Sequence, residues 1–166
     1  MRYHNITKDD MLNGDGLRVV LWEAGCSHCC KECQNPITWD ANGGLLFDDE
    51  AKEELFSYLS KDYIAGLTLS GGDPLYVTNR SDNLELLKEV KEKFKDKTVW
   101  LYTGFTWEVI CDLEIMDYVD VLVDGRFEID KLDTKLHWRG SSNQRVIDVK
   151  ATKRENRIVS HIGENE

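Results

Sequence analysis

The sequence is short of the features that mark membrane, secreted or nucleic-acid-binding proteins. No apolar run approaches the roughly 18 residues that a membrane span requires. The opening stretch, Met1 to Asp10, is polar and lacks the apolar core of a signal peptide. A cytoplasmic protein is therefore expected. Positive charge is in deficit: the formal net charge is −10. Phosphate backbones reward clustered Lys and Arg, so nucleic acid is a poor fit. The one basic cluster, Lys150, Lys153, Arg154 and Arg157, is interrupted by Glu155 and reads as a solvated surface strand or tail. Internal repeats and low-complexity segments are absent. Proline is scarce, with only Pro36 and Pro74.

What is present is an ordinary globular composition. Hydrophobic residues make up 41% and charged residues 31%, which separates the chain from disordered sequences. Residues 1–166 read as a single domain with one core. Leu17 to Trp22, Ile64 to Leu69, Thr98 to Tyr102, Tyr118 to Val123 and Arg145 to Val149 read as strands. Asp48 to Leu59 reads as a helix with acidic residues at its start. Ser81 to Phe94 reads as a second, with Ser81 as N-cap and Leu84, Leu87, Val90 and Phe94 on one face. Thr106 to Leu113 reads as a short third. Strands alternating with helices imply βαβ units, an α/β fold and a mostly parallel sheet. The length suits an open or partial barrel, not a closed eight-stranded one.

In such folds the C-terminal strand ends share one face, and ligands bind there. The segments that follow the strands are therefore informative. They are the cysteine loop from Gly25 to Pro36, then Ser70-Gly71-Gly72-Asp73-Pro74, Thr103-Gly104, and Asp124-Gly125-Arg126. Both prolines sit in the first two.

Four of the five cysteines fall between positions 26 and 33. In a reducing compartment this suggests metal binding or catalysis, not disulfides. Three readings compete. Cys26, Cys30 and Cys33 form a CxxxCxxC spacing, whose thiolates hold three irons of a cubane and leave the fourth open. Cys26/Cys29 and Cys30/Cys33 form abutting CxxC pairs for zinc, which is strained because zinc pairs usually stand about 15–20 residues apart. A redox CxxC disulfide leaves the glycine-rich loop unexplained. The cluster reading is preferred. Cys29 is then a non-ligand, His28 a hydrogen-bonding residue that shapes the loop, and Cys111 a small core thiol. Glu32 and Gln34 flank Cys33, so their backbone would border a ligand on the open iron. Tyr102, Trp100 and Trp107 read as core.

Read together, these residues resemble the radical S-adenosylmethionine enzymes. They resemble most the activating enzymes of anaerobic (class III) ribonucleoside-triphosphate reductase. The stretches that carry this are Asn13-Gly14-Asp15-Gly16-Leu17-Arg18, Gly25-Cys26-Ser27-His28, Cys33-Gln34-Asn35 with Thr38-Trp39, Leu69 to Leu75, Val121 to Phe127, and Trp138-Arg139-Gly140-Ser141-Ser142-Asn143-Gln144-Arg145. The resemblance implies a 4Fe–4S cluster on Cys26, Cys30 and Cys33. It implies S-adenosylmethionine on the open iron, cleaved by one electron to methionine and a 5′-deoxyadenosyl radical. That radical takes the Cα hydrogen of one glycine in the large reductase subunit. A flavodoxin- or ferredoxin-type donor supplies the electron.

No catalytic side chain is implied beyond cluster and cofactor. The expected cofactor-binding set is Glu32, Gln34, Ser70, Gly71, Gly72, Asp73, Thr103 and Asp124, with Asp73 and carbonyls offered to the cofactor's ammonium. Asp73 stands where the superfamily commonly has Glu. Thr103 and Asp124 read equally well as a strand-end turn and a helix cap. Arg126, Arg139 and Arg145 read singly as surface ion pairs. The alternatives are a radical enzyme acting on a small molecule, and a non-catalytic zinc or electron-transfer module.

Overall fold

The computed structural model describes residues 1–162. In chain order the elements are β1 (Arg2–Asp10), β2 (Leu17–Glu23), β3 (Leu45–Leu46), α1 (Asp49–Leu59), β4 (Ile64–Gly71), α2 (Arg80–Lys93), β5 (Thr98–Tyr102), α3 (Trp107–Ile110), β6 (Val121–Asp124), β7 (Arg145–Asp148) and α4 (Val149–Glu155). The strands form one unclosed seven-stranded sheet in the order β3-β1-β2-β4-β5-β6-β7. Its four central strands, β2, β4, β5 and β6, are parallel. β1, β3 and β7 pair antiparallel on the flanks. The α/β class and the parallel centre agree with the sequence reading. The N-terminal strand is an addition to it, because Arg2–Asp10 carries little apolar alternation.

Side chains alternate across each strand. Val19, Leu21, Leu67, Leu69, Val99, Leu101 and Leu122 face α1 and α2, where Leu55, Leu59, Leu87 and Val90 complete the main core. Asp48 caps α1 by accepting from the Ala51 amide at 3.0 Å. α2 begins one residue before the expected Ser81 cap. Asn79 occupies the N-cap without a side-chain cap bond, and its Nδ2 donates to the Ala24 carbonyl at 2.9 Å. On α2, Leu86 and Asn83 are buried while Leu84 and Phe94 are only partly so. The sixth strand starts at Val121, after a 3₁₀ turn at Glu114–Asp117. The basic cluster is no strand: Lys150, Lys153 and Arg154 lie on α4, exposed, with Lys150 paired to Asp120 at 2.6 Å.

The opposite sheet face carries Arg18, Val20, Trp22, Thr68, Ser70, Trp100 and Tyr102. Arg18 is fully buried there. Its guanidinium donates to Thr68 Oγ1 at 2.8 Å, the Asp15 carbonyl at 3.1 Å, Thr98 Oγ1 at 3.0 Å, and the Leu67 and Thr98 carbonyls at 2.8 and 3.0 Å. It also lies over the Trp100 ring. Burial lowers its pKa to about 10, yet it keeps its charge at neutral pH. One side chain thus bolts β2, β4, β5 and the β1–β2 turn together. Arg18→Met leaves several buried acceptors without a donor, and should cost about 3–5 kcal/mol in urea unfolding.

Glu23 closes β2 with its side chain fully buried. Asn83 donates Nδ2 to one Glu23 oxygen at 2.8 Å and to the Pro74 carbonyl at 2.9 Å. The other Glu23 oxygen and Asn83 Oδ1 are buried acceptors with no partner among the described residues. A proton on Glu23 supplies the donor both lack. Burial pushes its pKa up to about 8, against the opposing pull of the Asn83 bond. The folded state therefore binds this proton more tightly than the unfolded chain does. Glu23's contribution to stability should fall as pH rises from the unfolded carboxyl pKa, about 4.3, toward 8. Glu23→Gln mimics the protonated acid at every pH. Its melting temperature should exceed that of the wild type by at least about 3 °C at pH 8, and the gap should close at pH 5.

Candidate iron–sulfur centre

The cysteine loop follows β2 directly, and its ends are zipped together. The Gly25 and Cys26 amides donate to the Thr38 and Trp39 carbonyls at 2.8 and 3.1 Å, where Pro36–Trp39 forms a 3₁₀ turn. The glycine turn after β4 lies against this zipper. Gly72 and Asp73 donate to the Glu23 and Gly25 carbonyls at 2.8 and 2.7 Å. A Cβ on Gly72 would stand 2.4 Å from the Gly25 carbonyl oxygen, and Gly71 holds a φ of +110°. Only glycine meets both demands.

A cavity of about 670 Å³ opens on the sheet face opposite the helices. Cys26, Cys30 and Cys33 line it, as do Gln34, Ser70, Gly71, Gly72 and Thr103. Cys29 does not: it is exposed, with a φ of +47° that turns the loop at that point. Burial raises the Cys26 and Cys30 thiols, opposed by backbone amides of His28 and Cys29 at Cys26 and of Phe127 at Cys30. The Asn35 amide also approaches Cys33 Sγ, at 3.4 Å. Backbone amides aimed at sulfur suit thiolates that ligate iron. Among the described residues no three His, Cys, Asp or Glu side chains converge on one ion. A cubane requires no such convergence, since each thiolate binds a different iron.

Three residues of the expected cofactor set do not line this cavity. Glu32 is outside the cavity, on the exposed side of the loop, with a φ of +56°. Asp73 is buried behind the wall, and its carboxylate is filled. It accepts from Leu75 N at 2.8 Å, Thr103 Oγ1 at 2.9 Å, Gly104 N at 3.0 Å and His28 Nε2 at 2.7 Å. Asp124 is also taken. It accepts from Trp107 N at 2.7 Å, which caps α3, and from Arg145 at 2.5 and 3.0 Å. Arg145 is charge-paired a second time, with Glu108, and holds that carboxyl down to about 2. His28 shapes the loop through Asp73 and an edge contact with Phe105. Trp100 is core, but Tyr102 also lines the cavity. Cys111 is half-buried at the end of α3.

Sequence reasoning passed over the other wall. Trp22, Phe127, Leu132, Leu136, Trp138 and Gln144 line it. All of these but Trp22, which is on β2, come from residues 126–144, an excursion between β6 and β7. Gln144 accepts from the Gly140 and Ser141 amides at 3.0 and 3.1 Å and donates to the Gly125 carbonyl at 3.0 Å. Asn143 donates to the Arg126 carbonyl at 2.8 Å. Trp138, at a φ of +62°, packs edge-on against Trp100. The strand alternation of Trp22 and Tyr102 against their apolar neighbours was the available signal for the two strand residues.

Comparison with known proteins agrees with this geometry. Residues 12–147 match the family described as a 4Fe-4S single cluster domain. A protein of Enterobacteria phage T4 is 50% identical over 146 residues, covering 88% of this chain and 93% of its own. A Vibrio cholerae protein is 40% identical over 148 residues, covering 87% and 96%. An Escherichia coli K12 protein is 37% identical over 150 residues, covering 88% and 97%. Each is named anaerobic ribonucleoside-triphosphate reductase-activating protein. With its cysteine-lined cavity and this likeness over most of its length, the chain belongs to the family of anaerobic ribonucleoside-triphosphate reductase-activating proteins.

Proposed function

We propose that the chain activates anaerobic ribonucleoside-triphosphate reductase by placing a glycyl radical on it. The observation that carries the reading is the sorting of the cysteines. Cys26, Cys30 and Cys33 face one cavity beside a glycine turn, while Cys29 points out to solvent. Three ligands suit a 4Fe–4S cluster with one iron left for a substrate. Cluster and S-adenosylmethionine together supply a one-electron cleavage whose 5′-deoxyadenosyl radical takes a glycine Cα hydrogen from the reductase.

The protein's own residues bind and position. Cys26, Cys30 and Cys33 would hold the cluster. Gln34, Ser70, Gly71, Gly72 and Thr103 would hold the cofactor, since they share the cavity wall with the thiols. Asp73 and Asp124 act from behind: Asp73 fixes Thr103 and His28, and Asp124 fixes α3. Glu32, outside the cavity, is left out of this set. The open sheet is read as a partial radical S-adenosylmethionine barrel, and the chain as a single domain of that type. An open cavity with exposed Leu12 and Leu132 on its rim suits a protein segment reaching in, more than an enclosed small molecule. The electron donor is taken to be flavodoxin- or ferredoxin-type, and the compartment the cytoplasm. Among the described residues no helix is long and apolar enough to cross a membrane.

Anaerobically purified protein should be brown and contain iron and sulfide. With reductant, S-adenosylmethionine and the reductase, electron paramagnetic resonance should record a glycyl radical, with 5′-deoxyadenosine as co-product. Colourless protein with stoichiometric zinc would overturn the reading. 5′-Deoxyadenosine without a protein radical would favour a small-molecule substrate. Cys26→Ala, Cys30→Ala and Cys33→Ala should each abolish the radical signal, while Cys29→Ala should retain it. Equal loss in Cys29→Ala would restore the four-thiolate site.

A further inference from the structure

The cavity wall carries a polar group, the Tyr102 hydroxyl, that no described residue pairs with. Strand register aligns the side chains that face the cavity into rows. Trp22 stands opposite Ser70, Leu69 opposite Leu101, Tyr102 opposite Val123, and Val123 opposite Val146. Trp22, Ser70, Tyr102, Val123 and Val146 thus form one row across the sheet. In this row Trp22 Nε1 donates to Thr7 Oγ1 at 2.7 Å. The Tyr102 hydroxyl is buried and has no partner among the described residues. Native proteins rarely leave such a group unmatched, because its desolvation costs about 1–3 kcal/mol.

The surroundings of the phenol bear on the possible ligands. The charged groups acting on it are Arg18 and Asp10. Arg18 is near the start of β2 and Asp10 ends β1, whereas the cysteine loop follows the far end of β2. Asp10, Leu12 and Asn13 line the same cavity as the phenol and the three thiols. Both charged groups already have other partners, and neither is bonded to the phenol. Arg18 is spent on its five acceptors, and Asp10 accepts from the Leu12 and Asn13 amides and from Asn13 Nδ2. Burial keeps the phenol neutral, and so a donor. Leu12, which lines the cavity beside Asp10 and Asn13, is 79% exposed. A ligand that passes the cysteines and also reaches the phenol must be elongated. An extended polypeptide is such a ligand, with a carbonyl acceptor about every 3.3 Å.

We infer that Tyr102 is a positioning residue for the partner protein: its hydroxyl donates to a backbone carbonyl of the glycine-bearing reductase segment lying along the cavity. This rests on the function proposed above. The hydrogen bond would hold the glycine in register with the cofactor without touching the reacting atoms.

Tyr102→Phe tests it. The variant loses an unmatched buried hydroxyl and keeps the ring, so its melting temperature should equal or exceed that of the wild type. Its affinity for S-adenosylmethionine should be unchanged. The KM for the reductase should rise about 3- to 10-fold, the worth of one neutral hydrogen bond. The yield of 5′-deoxyadenosine per glycyl radical should rise with it, because a misplaced glycine misses its hydrogen transfer. A lower melting temperature would overturn the inference, since the hydroxyl would then have a partner in the chain. Weaker S-adenosylmethionine binding would assign the phenol to the cofactor instead. Unchanged KM and coupling would mean that water alone satisfies it. Failure of the function itself reads differently: the wild type would then give no glycyl radical at all.

Discussion

The site depends on the buried carboxylate of Asp73. Its two oxygens receive donors from three loops that are far apart in sequence: His28 from the cysteine loop, Leu75 from its own turn, and Thr103 with Gly104 after β5. Away from water, a carboxylate supplied with several donors is strongly held, and one left without them is costly. The chain therefore gains by bringing these loops together. The cysteine loop has no regular structure beyond its closing 3₁₀ turn, so it takes its position from such ties.

Backbone contacts reinforce the tie. The glycine turn can lie against the cysteine loop because Gly72 has no Cβ to strike the Gly25 carbonyl. The Glu23–Asn83 pair then holds the Pro74 carbonyl from the helix side. At the other end of the sheet Arg18 does comparable work, fastening three strands and a turn through five hydrogen bonds. Between these two polar knots the cavity-facing side chains stand in rows set by strand register. The wall built by residues 126–144 is closed on itself through Gln144, which favours a pre-shaped cavity over one formed by large movement.

Much of the site was legible because its signals are local. Cys26, Cys30 and Cys33 lie within one loop, and their spacing is a property of the chain alone. Gly71 and Gly72 mark a close approach whatever surrounds them. The central strands are rich in Val, Leu and Ile, as buried parallel strands are. The flanking strand β1 and helix α4 are poorer in them, and their place follows from pairing with elements the sequence does not name.

What the sequence by itself determined is the chemistry available: three clustered thiols, a glycine turn after a strand, and an α/β alternation that puts both at one end of a sheet. What only the tertiary structure decided is which side chains are spent. Asp73 entered the expected cofactor set from its glycine turn and the resemblance, and Asp124 from its place at a strand end on the ligand face. Folding supplied them with His28, Thr103, Arg145 and the backbone amides of Leu75, Gly104 and Trp107, partners between 2 and 45 residues away. Tyr102 read as core and turned out to hold an unmatched hydroxyl at the cavity wall. A hydrogen bond depends on distances in space, and no pattern along the chain records whether a donor has found its acceptor.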